Sequence, residues 1–66
     1  MLEFDIGDRV RYSDDLFPNG DAPNDRFGGK VHGEVTEVGT ANVVMVAFDD
    51  EPWNPQIVSN KHLVRV

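Results

Sequence analysis

Apolar residues along this chain fall into short, β-branched runs that are separated by clusters of Gly, Pro, Asn and Asp. No run keeps the 3.6-residue period of a helix, whereas several alternate with the two-residue period of a strand. The pattern therefore predicts an all-β domain with five strands. The predicted strands are residues 8–12, 30–38, 42–49, 56–59 and 64–66.

The run at residues 42–49 is the strongest strand signal, and both of its faces are apolar. A strand that is apolar on both faces is typical of the interior of a sheet. Its second face can also mark an interface with another molecule. The two faces consist of Val44, Val46 and Phe48, and of Val43, Met45 and Ala47.

The segments between the strands carry turn residues. Residues 13–29 form a long polar loop after the first strand, and a loop of this length in a small domain is usually either functional or disordered. Gly33 inside the second strand predicts a bulge or a sharp bend. Residues 39–41 supply a hairpin turn. Residues 60–63 favour one 3₁₀ turn, capped by Asn60, before the last strand.

The composition narrows the expected class of partner. The chain has 66 residues, which suits a single domain over residues 1–66, and it carries twelve acidic residues against six basic ones, for a net charge of −6. Nucleic-acid binding relies on phosphate neutralisation by Lys and Arg, so the charge favours a basic protein partner. Nucleic-acid binding remains an alternative if five of the six basic residues share one face. Those residues are Arg9, Arg11, Arg26, Lys30 and Arg65.

Localisation is expected to be cytoplasmic. The N-terminus, residues 1–5, has neither a basic nor an apolar region of a signal peptide, and no apolar run approaches the roughly 18 residues of a membrane span. We therefore expect no membrane partner. The small size and general layout of the chain suggest a phage or prophage origin, in which case the protein is expected in the host cytoplasm.

Four segments together resemble the SH3-like β-barrels, including the KOW and Tudor-type branches, and the layout is similar to small SH3-like proteins encoded by phages. The resemblance implies a small five-stranded barrel with a long loop after the first strand and a 3₁₀ turn before the last. The chain lacks the Ala-Leu-Tyr-Asp-Tyr signature of signalling SH3 domains, so the resemblance does not extend to proline-peptide binding. The matching segments are residues 7–11, 33–35, 44–50 and 63–66.

The long loop combines four carboxylates with two aromatic rings, and a tryptophan lies between two prolines in a later loop. These residue types favour a surface that binds a basic segment of a protein. The alternative is a solvated loop whose rings dock on the core, with Trp53 as a lid on one end of the barrel or as part of a cation-binding cage with Tyr12. The predicted partner-binding residues are Asp14, Asp15, Phe17, Asp21, Asp25, Phe27 and Trp53.

The sequence gives little support for catalysis. It has no cysteine, neither Ser13 nor Ser59 lies in a nucleophile elbow, and phosphate-binding glycine motifs are missing. His32 and His62 have no second ligand at metal-binding spacing, and residues 49–51 are expected to form a solvated turn. We therefore predict a binding or accessory protein with no catalytic residues, metal or cofactor. A structural role, as a component of a virion or assembly or as a homo-oligomer, is a further alternative.

Overall fold

The computed structural model describes residues 4–66 and confirms the all-β class. Five antiparallel strands form one sheet in the order β4-β3-β2-β1-β5. Two short 3₁₀ turns, Asp14–Leu16 and Asn60–His62, lie before β2 and before β5. The strands are β1 (Arg9–Tyr12), β2 (Gly33–Val38), β3 (Val43–Phe48), β4 (Gln56–Ser59) and β5 (Leu63–Arg65).

The core lies on one face of the sheet. The alternation of side chains predicted for β1 and β3 places their buried residues on that face. Val10 and Tyr12 of β1 are buried, while Arg9 and Arg11 point to the other face. β3 alternates between half-buried and buried positions and pairs with β2 on one side and β4 on the other, as an interior strand does. The buried residues are Phe4, Val10, Tyr12, Val35, Val44, Val46, Phe48, Val58 and Leu63.

The second strand begins three residues later than the sequence predicts. Lys30 donates its N–H to the Asp25 carbonyl at 3.0 Å, inside the preceding loop, and Asp49 donates its N–H to the His32 carbonyl at 2.9 Å. The prediction of a bulge at Gly33 is also wrong, because Gly33 pairs regularly with Phe48. The register shift lies farther along β2, between Val35 and Glu37.

The predicted turns are confirmed with one correction. Gly39 donates its N–H to the Val43 carbonyl at 3.0 Å and so closes the hairpin between β2 and β3. Asn60 was predicted to cap the last 3₁₀ turn, but Ser59 holds the N-cap position because the chain is still extended there, and Asn60 is the first residue of the turn. The turn at Asp14–Leu16 was not predicted. Its cap is Ser13, whose hydroxyl accepts the N–H of Asp15 at 3.2 Å.

β4 and β5 are the outer strands of the sheet. Within residues 4–66, each of them pairs with only one neighbouring strand. The closed barrel therefore stays a prediction. In the same part of the chain, no helix is long and apolar enough to cross a bilayer.

Candidate functional site

Stacked aromatic rings hold the long first loop, residues 13–32, against the sheet. The ring of Phe27 stacks on Tyr12 with centroids 4.7 Å apart, and Tyr12 also stacks on Phe48 at 5.2 Å. Phe17 meets Phe27 edge-on at 6.0 Å. Burial raises the pKa of the Tyr12 phenol above its ordinary value. The loop is thus anchored to the core through ring contacts that are individually favourable by about 0.5–1.5 kcal/mol.

Arg26 ties the same loop to the turn after β3. Its guanidinium lies 3.0 Å from Asp50 and 3.6 Å from Glu51, and its Cζ is 5.1 Å from the centroid of the Phe48 ring. The hydrogen bond with Asp50 raises the pKa of Arg26 further above its already high value. The ion-pair partner Asp50 is 24 residues away from Arg26 in the chain, so this contact gives a long loop without regular strands a defined shape.

Gly29 lets the loop return past the end of β1. Its φ is +77°, a backbone conformation that favours glycine. A Cβ at this position would also lie 2.9 Å from both the Tyr12 carbonyl oxygen and Arg11 Nη1. Arg11 in turn pairs with Asp14 at 3.1 Å, so that both ends of the loop meet at one point.

The folded loop encloses a cleft of about 530 Å³, which we call the loop cleft. Asp14 and Asp25 bring carboxylates to it, Phe17 and Phe27 bring aromatic rings, and Lys30 brings one cation. Asp14 is already paired with Arg11, whereas Asp25 makes no ion pair with any residue between 4 and 66. The cleft can therefore accept one further cationic group at Asp25. Its remaining lining residues are Pro18, Gly20, Ala22, Pro23, Asn24 and Gly28.

Phe17 and Phe27 also line a second, apolar groove of about 320 Å³, which lies between the loop and β4. The sequence did not predict this groove. The sequence does contain a signal for it. Ile57 and Val58 are adjacent apolar residues in one strand, and the side chains of a strand alternate between its two faces. One of the two must therefore point outward. Ile57 is indeed 72% exposed. The other lining residues are Tyr12, Leu16, Val58, Ser59 and His62.

The structure brings four of the seven predicted binding residues together. Asp14, Phe17, Asp25 and Phe27 line the loop cleft, while Asp15, Asp21 and Trp53 do not. These four residues share one surface, and their role in binding a partner stays a prediction.

Trp53 does not take either of the alternative roles considered from the sequence. It is 77% exposed, so it does not close one end of a barrel. The cation cage with Tyr12 is not formed either, because Tyr12 is buried and its ring contacts are with Phe27 and Phe48.

All four arginines of the chain form ion pairs with carboxylates. The hydrogen bond from Arg9 lowers the pKa of Asp49, and the backbone N–H of Asp5, followed by Arg65, lowers that of Asp8. No group of three or more His, Asp or Glu residues between positions 4 and 66 is placed to hold a metal ion. The ion pairs are Arg9–Asp49 at 2.6 Å, Arg11–Asp14 at 3.1 Å, Arg26–Asp50 at 3.0 Å and Arg65–Asp8 at 3.2 Å.

Comparison with known proteins finds no matching protein-family model, no matching curated protein and no matching solved structure.

Proposed function

We propose that this protein is a small, non-catalytic binding module that takes a basic segment of a partner protein into the loop cleft. The observation that carries the proposal is the position of Asp25, a carboxylate that forms no ion pair among residues 4–66 and lines the same cleft as the rings of Phe17 and Phe27. A carboxylate next to aromatic faces suits a guanidinium or ammonium group, which bonds to the carboxylate and stacks on the rings. The apolar groove on the other side of the same rings suits an aliphatic side chain next to the basic one.

The ion pairs that the four arginines form favour a protein partner over nucleic acid. Each of the four is already paired with a carboxylate, so a phosphate would have to displace an internal partner. Affinity for nucleic acid depends on cations that are available to neutralise phosphates. The surface that remains carries excess negative charge, and that charge attracts basic segments.

The proposal includes an SH3-like barrel as the architecture, with β4 and β5 as its two outer strands, which within residues 4–66 do not pair with each other. The strand order β4-β3-β2-β1-β5 supports it, as does the 3₁₀ turn Asn60–His62 between the last two strands. The long loop after β1 also supports it, since the resemblance implies a long loop after the first strand. A cytoplasmic setting and a phage origin, both expected from the sequence, are parts of the same proposal.

A titration with a basic peptide tests the binding site. We expect a short peptide in which two arginines flank a leucine to shift the amide NMR signals of Phe17, Asp25 and Phe27 in a saturable manner. Replacing Asp25 by Asn should weaken binding roughly fivefold, since a single exposed ion pair is worth up to about 1 kcal/mol. Raising the salt concentration should weaken binding further.

Asp21→Asn is the matched control. It removes the same charge from the same loop, but Asp21 does not line the cleft. The affinity of this variant should stay close to that of the unmodified protein. A peptide with glutamates in place of the arginines should leave all signals unchanged. Equal losses in the two variants, or signal shifts that avoid the loop, would contradict the proposed site.

A further inference from the structure

Among residues 4–66, no strand other than β3 pairs with the outer strand β4, which leaves the backbone groups of Ile57 available at its free edge. Asn60 donates its N–H to the Asn42 carbonyl at 2.8 Å, and this bond determines which residues of β4 are hydrogen-bonded to β3. In an antiparallel pair, hydrogen-bonded and non-hydrogen-bonded positions alternate. Val58 and Val44 are therefore a hydrogen-bonded pair, while Ile57 and Met45 are not. The N–H and C=O of Ile57 consequently point away from β3, toward the open edge of the sheet.

This edge lacks the charged side chains that protect many edge strands. Charged side chains normally prevent an exposed edge from pairing with another chain. Residues 52–60 contain no charged residue in a protein with a net charge of −6, and they include the exposed side chains of Trp53 and Ile57. The opposite edge, β5, carries Arg65, which pairs with Asp8.

We infer that the free edge of β4 binds the β4 strand of a second copy of this chain, antiparallel and with Ile57 on the two-fold axis. Two Ile57 residues that face each other exchange both of their hydrogen bonds. In the same register, the outward N–H of Ser59 meets the carbonyl of Pro55 in the second copy. Pro55 has no N–H to leave unpaired, and the Ser59 carbonyl is already used by the 3₁₀ turn that follows.

Charge and apolar surface both favour a second copy over another partner. Two molecules with six excess negative charges each repel one another except where they present uncharged surface. A basic partner would instead be drawn to the carboxylates, which lie elsewhere. Next to the edge, Val38, Val43, Met45 and Ile57 line a groove of about 330 Å³ on the outer face of the sheet, with Glu37 as its charged lining residue. Pairing of the two edges makes this apolar face continuous across the axis.

Sedimentation velocity over a concentration series tests the inference. The chain should move from monomer toward dimer as its concentration rises, and added salt should favour the dimer by screening the repulsion between copies. Peptide binding in the loop cleft has the opposite salt dependence, so the salt series distinguishes failure of the dimer from failure of the peptide site. Ile57→Lys should be monomeric at every concentration. Ile6→Lys is the matched control, because Ile6 is 68% exposed and lies outside the sheet, and it should dimerise normally.

Cross-linking tests the register. The chain has no cysteine, so Ile57→Cys introduces a single thiol at the proposed axis. Paired residues at this position have Cα atoms about 5.5 Å apart, within the range of a disulfide. Mild oxidation should link Ile57→Cys into dimers at least tenfold faster than Ile6→Cys. A strict monomer for the unmodified chain, a dimer that survives Ile57→Lys, or equal linking of the two cysteine variants would each overturn the inference.

Discussion

Replacing Phe48 by Ala should leave the protein largely unfolded at room temperature. Phe48 is 1% exposed, stacks on Tyr12 and lies under the guanidinium of Arg26, so the substitution removes the ring that joins the sheet to the first loop. Truncation of a buried Phe typically costs about 3–5 kcal/mol. The core of a domain with fewer than about 70–80 residues rarely supplies more than about 3–5 kcal/mol of net stability, so this loss removes most or all of it. Chemical denaturation followed by circular dichroism measures the loss.

Phe17→Ala is the matched control for this substitution. Phe17 is half-buried at the edge of the loop cleft and contacts Phe27 edge-on at 6.0 Å. We expect this variant to keep the sheet and to lose much less stability than Phe48→Ala. If the two variants unfold at the same denaturant concentration, Phe48 does not have the central position described here.

Replacing Gly33 by Ala should cost about 1–3 kcal/mol, the usual range for an overpacked core. A Cβ at Gly33 would lie 2.6 Å from Val46 Cγ1, 3.1 Å from the Ala47 carbonyl oxygen and 3.1 Å from Phe48 Cα. Two of these atoms belong to the backbone of β3, so the strands have to separate to admit one methyl group. Thermal unfolding should show a Tm lowered by about 4–8 °C for each kcal/mol lost.

Gly28→Ala provides the comparison for Gly33→Ala. A Cβ at Gly28 would have its nearest neighbours at 3.5–3.6 Å, which is ordinary contact. This variant should be neutral, or stabilised by up to about 1 kcal/mol because the unfolded chain loses conformational freedom. A Gly33→Ala protein as stable as Gly28→Ala would mean that β2 and β3 are not as close as described.

Strand positions could be predicted where they depend only on the local alternation of apolar and polar side chains. The alternation in β1 and β3 placed Val10, Tyr12 and Phe48 on the buried face, and the bounds of β4 were predicted as they occur. The start of β2 was not predictable in this way. The residues before Gly33 are held by hydrogen bonds to Asp25 and Asp49, and no local pattern encodes those partners.

The loop cleft shows the same limit. The sequence indicated a loop with carboxylates and rings, but it contained no means of separating Asp25, which lines the cleft, from Asp21, which does not. That distinction arises from contacts between distant residues, such as Phe27 with Tyr12 and Arg26 with Asp50. Ser13 before two acidic residues was a usable signal for the first 3₁₀ turn, since a serine hydroxyl commonly caps such a turn.

The folded first loop is the premise of the proposed site, and NMR of the aromatic side chains tests it most directly. We expect strong nuclear Overhauser effects between the single tyrosine, Tyr12, and Phe27, whose ring centroids are 4.7 Å apart. The amides of Gly28 and Lys30, which donate to the carbonyls of Asn24 and Asp25, should exchange slowly with solvent. Random-coil shifts for residues 13–32, with no Tyr12–Phe27 contact, would contradict the account.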